Sequence, residues 1–409
     1  NDTDEHGSAE CDDGLDNDSD GKTDYKLNGT GDPGCTGPAD TNERGTAACD
    51  DGVDNDGDGK TDYNLNAELG DPGCTGPDDG SERGTLECDD GLDNDNDGKT
   101  DYLLSGGGDE DCSGPDDESE IGCSWAPIAS NTGTTLNAVW GLSSDAIWAV
   151  GNSGEIVHYN GTQWATQTSP TEVALRGLWG SSATDIWAVG DDFTIIHYDG
   201  MNWTDVSPIG SRDLHGAWGS SAVDAWAVGD TASIQHYTGS WSNYGASFNS
   251  DLKAIWGTAP SNIWAVGYGS MLAQYDGAWW DNLGVGGFIR FQGIWGSSSS
   301  DIWAVGYLGN DPITYHYDGS LWTNLSPPPD ISLVLDAVWV ADNGEVWVVG
   351  QDNLQSTSLV LHREGAAGTW ATVTPGGAPA FNGVWGSDPC DVWAVGLSGA
   401  IYHYGRHED

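Results

Sequence analysis

From residue 123 onward, apolar and polar positions recur in a fixed order. One unit, LRGLWGSSATDIWAVGDDFTIIHYDGMNWTDVSP (Leu175 to Pro208), holds the apolar runs RGLWG, DIWAVG and TIIHYDG and a last run opening at Trp203, with Gly-, Ser- and Asp-rich turns between them. Short runs bounded by turn residues read as β-strands, and four in succession read as one antiparallel sheet. Tryptophan marks the repeat. Trp140, Trp179, Trp218, Trp256, Trp295, Trp339 and Trp385 of the first run each precede a second-run tryptophan by eight residues. Trp164, Trp203, Trp241, Trp280, Trp322 and Trp370 open the fourth run. Seven such units predict an all-β fold, a seven-bladed β-propeller over residues 123–409.

The last unit stops after its third run, Ile401 to Tyr404. Trp125 stands before any first run, 15 residues ahead of Trp140, the spacing that also separates Trp164 from Trp179. The segment Ser124–Ile128 is therefore expected to supply the missing outer strand of the seventh blade and to close the ring from the other end of the domain.

The pattern before residue 123 is different. Three segments align without gaps: CDDGLDNDSDGKTDY from Cys11, CDDGVDNDGDGKTDY from Cys49 and CDDGLDNDNDGKTDY from Cys88. They divide residues 1–122 into repeats at about 10–46, 48–85 and 87–120. Each contains D-x-D-x-D-G-K-T-D, whose alternate carboxylates converge in a tight loop and suit the hard, oxygen-seeking Ca²⁺. The expected ligands are Asp16, Asp18, Asp20, the carbonyl of Lys22 and Asp24 in the first repeat. In the second they are Asp54, Asp56, Asp58, Lys60 and Asp62, and in the third Asp93, Asp95, Asp97, Lys99 and Asp101. Further ligands are sought in Asp12, Asp13, Asp32 and Asp71, among which the sequence does not choose. Leu27, Leu65 and Leu104 occupy the twelfth loop position, so these are not EF-hands.

Eight cysteines in so polar a chain read as disulfides formed in an oxidising compartment. The simplest of the many possible pairings joins Cys11–Cys35, Cys49–Cys74 and Cys88–Cys112. The remaining two, Cys123 and Cys390, are expected to clasp the closing strand to the seventh blade.

The repeats resemble thrombospondin type-3 repeats and acidic Cys-containing repeats of secreted bacterial proteins. That resemblance implies a module without a hydrophobic core, held by calcium and disulfides. The WGSxxDxWAVG units resemble Trp-rich propeller repeats of secreted proteins of environmental bacteria, which implies the fold strongly and function weakly.

Charge narrows the partners. Of 65 acidic and 12 basic residues, the first 122 positions hold 38 and 6. A net charge of -53 repels nucleic acid and anionic lipid. No run of 18 apolar residues is present to span a membrane. The chain begins at Asn1 rather than Met, which fits removal of a signal peptide.

Candidate chemistry is scarce. Asp145, Asp185, Asp224, Asp301 and Asp391 precede the second run, with Asn262 and Glu345 in the other two blades. His158, His197, His236, His316 and His403 recur before Tyr in the third run. Groups repeated once per blade read as turn caps and half-buried strand positions, not as a catalytic centre. With no nucleophile elbow, zincin or P-loop motif, the chain is expected not to be an enzyme. Asn28, Asn160, Asn202 and Asn324 head glycosylation sequons, as do the less suitable Asn1 and Asn17. Trp279, Phe288 and Phe291 depart from the blade pattern, and Phe291 fits the first-strand position held by Leu175 in its own blade.

The expected function is that of an extracellular, calcium-stabilised structural protein, a self-assembling homo-oligomer or helical polymer of a surface filament or layer. A secreted adhesin or carbohydrate-binding propeller is the alternative.

Overall fold

The computed structural model describes residues 123–406 apart from 246, 328–332 and 353–357 and the side chain of 364. Before 123 it describes 11, 15–17, 19, 22, 23, 26, 35, 44, 46–64, 70–77, 79–86, 88–92, 99–104, 112 and 114. The chain divides into two compact units, the N-terminal part through Cys123 and the segment Ser124–Gly405.

The second unit is a seven-bladed β-propeller of seven four-stranded antiparallel sheets. The first blade uses Leu136–Ser143, Ala146–Gly151, Ile156–Tyr159 and Trp164–Thr166, hydrogen-bonded in chain order, and five more blades follow the same plan. The seventh joins Phe381–Asp388, Asp391–Gly396 and Ile401–Arg406 to an outer strand from the front of the domain, Cys123–Ile128. That strand packs as five of its six counterparts do. Trp125 meets Trp347 of the preceding blade edge-on at 5.8 Å, as Trp164 meets Trp393 at 5.6 Å and Trp241 meets Trp187 at 5.2 Å. The closing strand thus makes the tryptophan contact that five of the other six seams use, the exception being the second blade, whose Trp203 indole instead donates to Gln167 at 2.7 Å.

The Trp-Gly pair of the first strand explains how blades interlock. First- and second-strand tryptophans face each other in register, Trp218 with Trp226 and Trp140 with Trp148. The glycine after the first-strand tryptophan receives the indole of the blade before. A Cβ on Gly219 would lie 2.6 Å from the ring of Trp179 and 2.6 Å from the carbonyl of Asp224, and Gly180 meets Trp140 in the same way. In six blades that residue is Gly, which leaves room for the ring, and in the sixth blade it is Val340. Gly219→Ala is expected to lower the stability of the ring by about 1–3 kcal/mol through overpacking. An unchanged thermal midpoint for that variant would show that the seam has slack.

Every first strand also carries a β-bulge directly after its opening apolar residue, at Leu136/Ala138, Leu175/Gly177, Leu214/Gly216, Leu252/Ala254, Phe291/Gly293, Leu335/Ala337 and Phe381/Gly383. Phe291 takes this opening position and is fully buried, whereas Trp279 and Phe288 stand exposed.

Candidate metal centre

The N-terminal unit buries an unusual set of side chains. Among its described residues, glycine and proline apart, those buried are the half-cystines Cys11, Cys35, Cys49, Cys74, Cys88 and Cys112 and the acids Asp50, Asp58, Asp71, Glu82, Asp89 and Asp101. The cystines pair Cys11–Cys35, Cys49–Cys74 and Cys88–Cys112. Cys123 and Cys390 are disulfide-bonded as well, and no cysteine is free.

The second repeat is described through its whole loop. Gly57 and Gly59 adopt left-handed backbone, φ 91° and 94°, which lets the chain wind tightly around the carboxylates. Asp54 accepts from the N–H groups of Gly57 (2.6 Å) and Gly59 (3.1 Å), and Asp58 accepts from that of Lys60 (2.6 Å). Asp54, Asp56 and Asp58 each bring one oxygen within 4.8 Å of the others. A second group, Asp56, Asp71 and Glu82, meets the same criterion and shares Asp56. Asp71 comes from the D-P-G-C segment and Glu82 from the linker to the third repeat.

Three of these carboxylates carry an oxygen without a partner. Asp56 Oδ2, Asp58 Oδ2 and Asp71 Oδ2 are all buried without a hydrogen bond, although Asp58 and Asp71 are each only 5% exposed. Burial first, and then the neighbouring charges, raise Asp58, Asp71 and Glu82. Asp71 is pushed up to about 7 by desolvation against the N–H of Gly73, with Asp58, Asp56 and Glu82 adding repulsion. Asp58 and Glu82 are raised for the same reasons. Asp89, the first acid after Cys88, is also raised, by burial and then by Asp56 and the charges around it. Two like charges about 4 Å apart repel by about 4 kcal/mol at an effective dielectric near 20. A cation at the common point converts that repulsion into attraction, and an all-oxygen carboxylate donor set fits Ca²⁺.

Asp62 is turned away from this point. Its carboxylate pairs with Arg44 and accepts from the Gly52 N–H at 2.8 Å. Asp101 repeats the arrangement with Arg83 (2.7 Å) and Gly91 (2.8 Å). The final Asp of each of these motifs therefore anchors an arginine of the preceding linker, and Glu82 enters the group in its place. Glu82 was missed by motif reading because it lies 20 residues beyond Asp62, in irregular chain. Asp18, Asp20, Asp24, Asp93, Asp95, Asp97 and Asn28 lie outside the described residues. Asp16, Lys22, Lys99 and Asp101 are the ligand candidates of the first and third loops that lie among the described residues.

In the propeller, the recurring acids and histidines find each other. His197 bonds Asp185 at 2.7 Å, His236 bonds Asp224 at 2.6 Å, His316 bonds Asp301 at 2.8 Å and His403 bonds Asp391 at 2.7 Å. The sixth blade substitutes Glu345 for the acid and bonds it to His362, and the fourth uses the neutral pair Asn262 and Gln274. Each of those histidines lies against the second-strand tryptophan of its blade, for example 3.7 Å between the rings of Trp226 and His236. Burial alone would raise Asp391, but hydrogen bonds from His403, Ser387 and Trp393 outweigh it and hold the carboxyl below its ordinary range. In the first blade Asp145 stands one position earlier, Ala146 takes the matching place, and burial lowers His158. Of the sequons, Asn160, Asn202 and Asn324 are exposed.

At the centre of the ring is a cavity of about 420 Å³. The residue inside each bulge lines it, with six residue types over seven blades: Asn137, Arg176, His215, Lys253, Gln292, Asp336 and Asn382. Arg176 is held by Asp191 at 2.8 Å, and His215 and Lys253 share Asp230 at 2.7 and 3.1 Å. Asp336 Oδ2 is buried without a hydrogen bond, and burial pushes this carboxyl up to about 7.

No family model matches the chain, and no curated protein matches it. Solved structures do. A structure described as YCF48 bound to D1 peptide is 16% identical, with a TM-score of 0.56 over 69% of this chain and 97% of that one. The WD40 β-propeller domain of Doa1 gives 11% identity and a TM-score of 0.58, covering 70% and 98%. Virginiamycin B lyase from Staphylococcus aureus gives 12% and 0.58, covering 69% and 98%. At such identities the likeness shows the propeller fold alone.

Proposed function

We propose that this chain is an extracellular structural protein in which calcium holds a row of coreless repeats joined to a rigid propeller, and that copies assemble head to tail into a filament or layer. The observation that carries the calcium reading is the interior of the repeats, built from cystine and from buried, unpartnered carboxylate oxygens. Such an interior needs both an oxidising medium and a divalent cation. The recurring acids and histidines of the blades are engaged with one another, which supports a role without catalysis. Contacts between unlike surfaces of identical copies generate open polymers. Negative-stain microscopy of concentrated protein should show filaments or sheets in calcium that dissolve in EGTA. Particles that stay single at every concentration in calcium would sink the assembly reading.

The bulges favour a second reading, a binding propeller. A bulge re-aims one side chain, and here it aims the one non-repeating polar residue of each first strand into the central cavity. A purely structural ring gains nothing from that variety. A polar ligand such as a peptide or a glycan fits it, and saturable binding on peptide and glycan arrays that is lost in Arg176→Ala would favour this reading.

A further inference from the structure

The linker between the second and third repeats carries a Glu-Arg pair, Glu82 and Arg83, whose two side chains act in opposite directions. Arg83 reaches forward to Asp101 of the third repeat. Glu82, its neighbour, reaches back. It is 2% exposed, accepts the backbone N–H groups of Asn55 and Asp62, and brings an oxygen into the group formed with Asp56 and Asp71. Asp89 belongs to the third repeat, is 2% exposed, and lies close enough to Asp56 and Asp71 of the second for their charges to repel it. Two carboxylates that lie beyond the second repeat's disulfide therefore close on its loop, beside the buried oxygens of Asp58 and Asp71 that have no partner.

The spacing recurs in sequence. Glutamate stands eight residues after the second cysteine of every repeat, as Glu43, Glu82 and Glu120. An Asp stands three before that cysteine, as Asp32, Asp71 and Asp109. Seven residues beyond Glu43 is Asp50, buried as Asp89 is, but seven beyond Glu120 is Pro127. The third repeat has no following repeat to lend it that acid.

We propose that each calcium site is shared between consecutive repeats, with the linker glutamate (Glu43, Glu82) and the first acid of the next repeat (Asp50, Asp89) as ligands, and that the third site is one carboxylate short. This rests on the calcium reading above. Calcium then fastens one repeat to the next as well as filling a loop. Filling runs in order, with the first two sites ahead of the third.

Amide hydrogen exchange of the full chain across a calcium titration tests this on peptides spanning residues 13–25, 51–63 and 90–102. In the wild type, the third loop should gain protection at a calcium concentration about tenfold above the second. Glu82→Gln and Asp89→Asn should each raise the midpoint of the 51–63 loop by about 10–100-fold, the cost expected of a lost ligand or its support. Glu82→Gln should leave the 90–102 midpoint in place. Unchanged propeller exchange and intact disulfide masses establish that the variants fold, and the wild-type filling order needs no variant. If wild-type loops respond to calcium but neither substitution shifts the 51–63 midpoint, or the third loop fills first, site sharing is wrong. Wild-type loops that ignore calcium would overturn the calcium reading itself.

Discussion

Removing calcium should expand the N-terminal repeats while leaving the propeller folded. The interior of the second repeat places Asp54, Asp56, Asp58, Asp71 and Glu82 in two overlapping groups, with three oxygens buried and unpartnered. Without a cation these groups relieve their repulsion by protonation or by separation. Separation opens the loop within the limits of its disulfide. Small-angle scattering of the full chain in EGTA should show a larger radius of gyration than in calcium. Tryptophan emission should stay unchanged, because every Trp lies from Trp125 onward. Equal dimensions in both media would show that the disulfides alone hold the repeats.

The second large effect is expected at Asp336. Its ordinary value of 3.8 is pushed up to about 7 by burial in the central cavity. A carboxyl that binds its proton more tightly folded than unfolded stabilises the fold when protonated. That contribution is complete below about pH 4, declines as pH rises, and is gone above about pH 7. Each tenfold gain in proton affinity is worth about 1.4 kcal/mol, so the decline amounts to about 4 kcal/mol at most. Asp336→Asn cannot ionise and should lose this slope. The difference in stability between variant and wild type should therefore grow in the variant's favour from pH 4 to pH 7 and then level off. Chemical denaturation at several pH values reads it. Parallel pH profiles for the two proteins would show that Asp336 is solvated in solution.

The blades were legible because their chemistry is local. A strand of alternating residues, a tight turn and a returning strand fix the eight-residue Trp spacing, and Trp125 could be assigned to the seventh blade from spacing alone. What the sequence hid was pairing between elements. The acid before the second strand and the histidine of the third looked like separate fixtures of a turn and a strand. They are one hydrogen-bonded pair, as Asp391 and His403 show at 2.7 Å, because antiparallel pairing brings together positions 12 residues apart. The bulge residues carry no repeat signal in the sequence, and the extra residue in the strand is what turns them into the cavity. In the acidic repeats the alternating Asp of the loop was visible, since ligand spacing is encoded by consecutive residues. Asp62 and Glu82 exchanged roles because long-range partners, an arginine before the repeat and a linker after it, decide which carboxylate turns inward.

The cystine-and-carboxylate interior has one more consequence. A hydrophobic core forms wherever there is water. On the calcium reading proposed above, this interior forms only where two chemical potentials are met together, electrons scarce enough for disulfides and free calcium high enough to fill the loops. In a reducing, calcium-poor medium the same residues repel one another and stay soluble and extended. The repeats thus carry a chemical address in their folding equilibrium, and the medium that completes them is the medium in which their rigidity first becomes available.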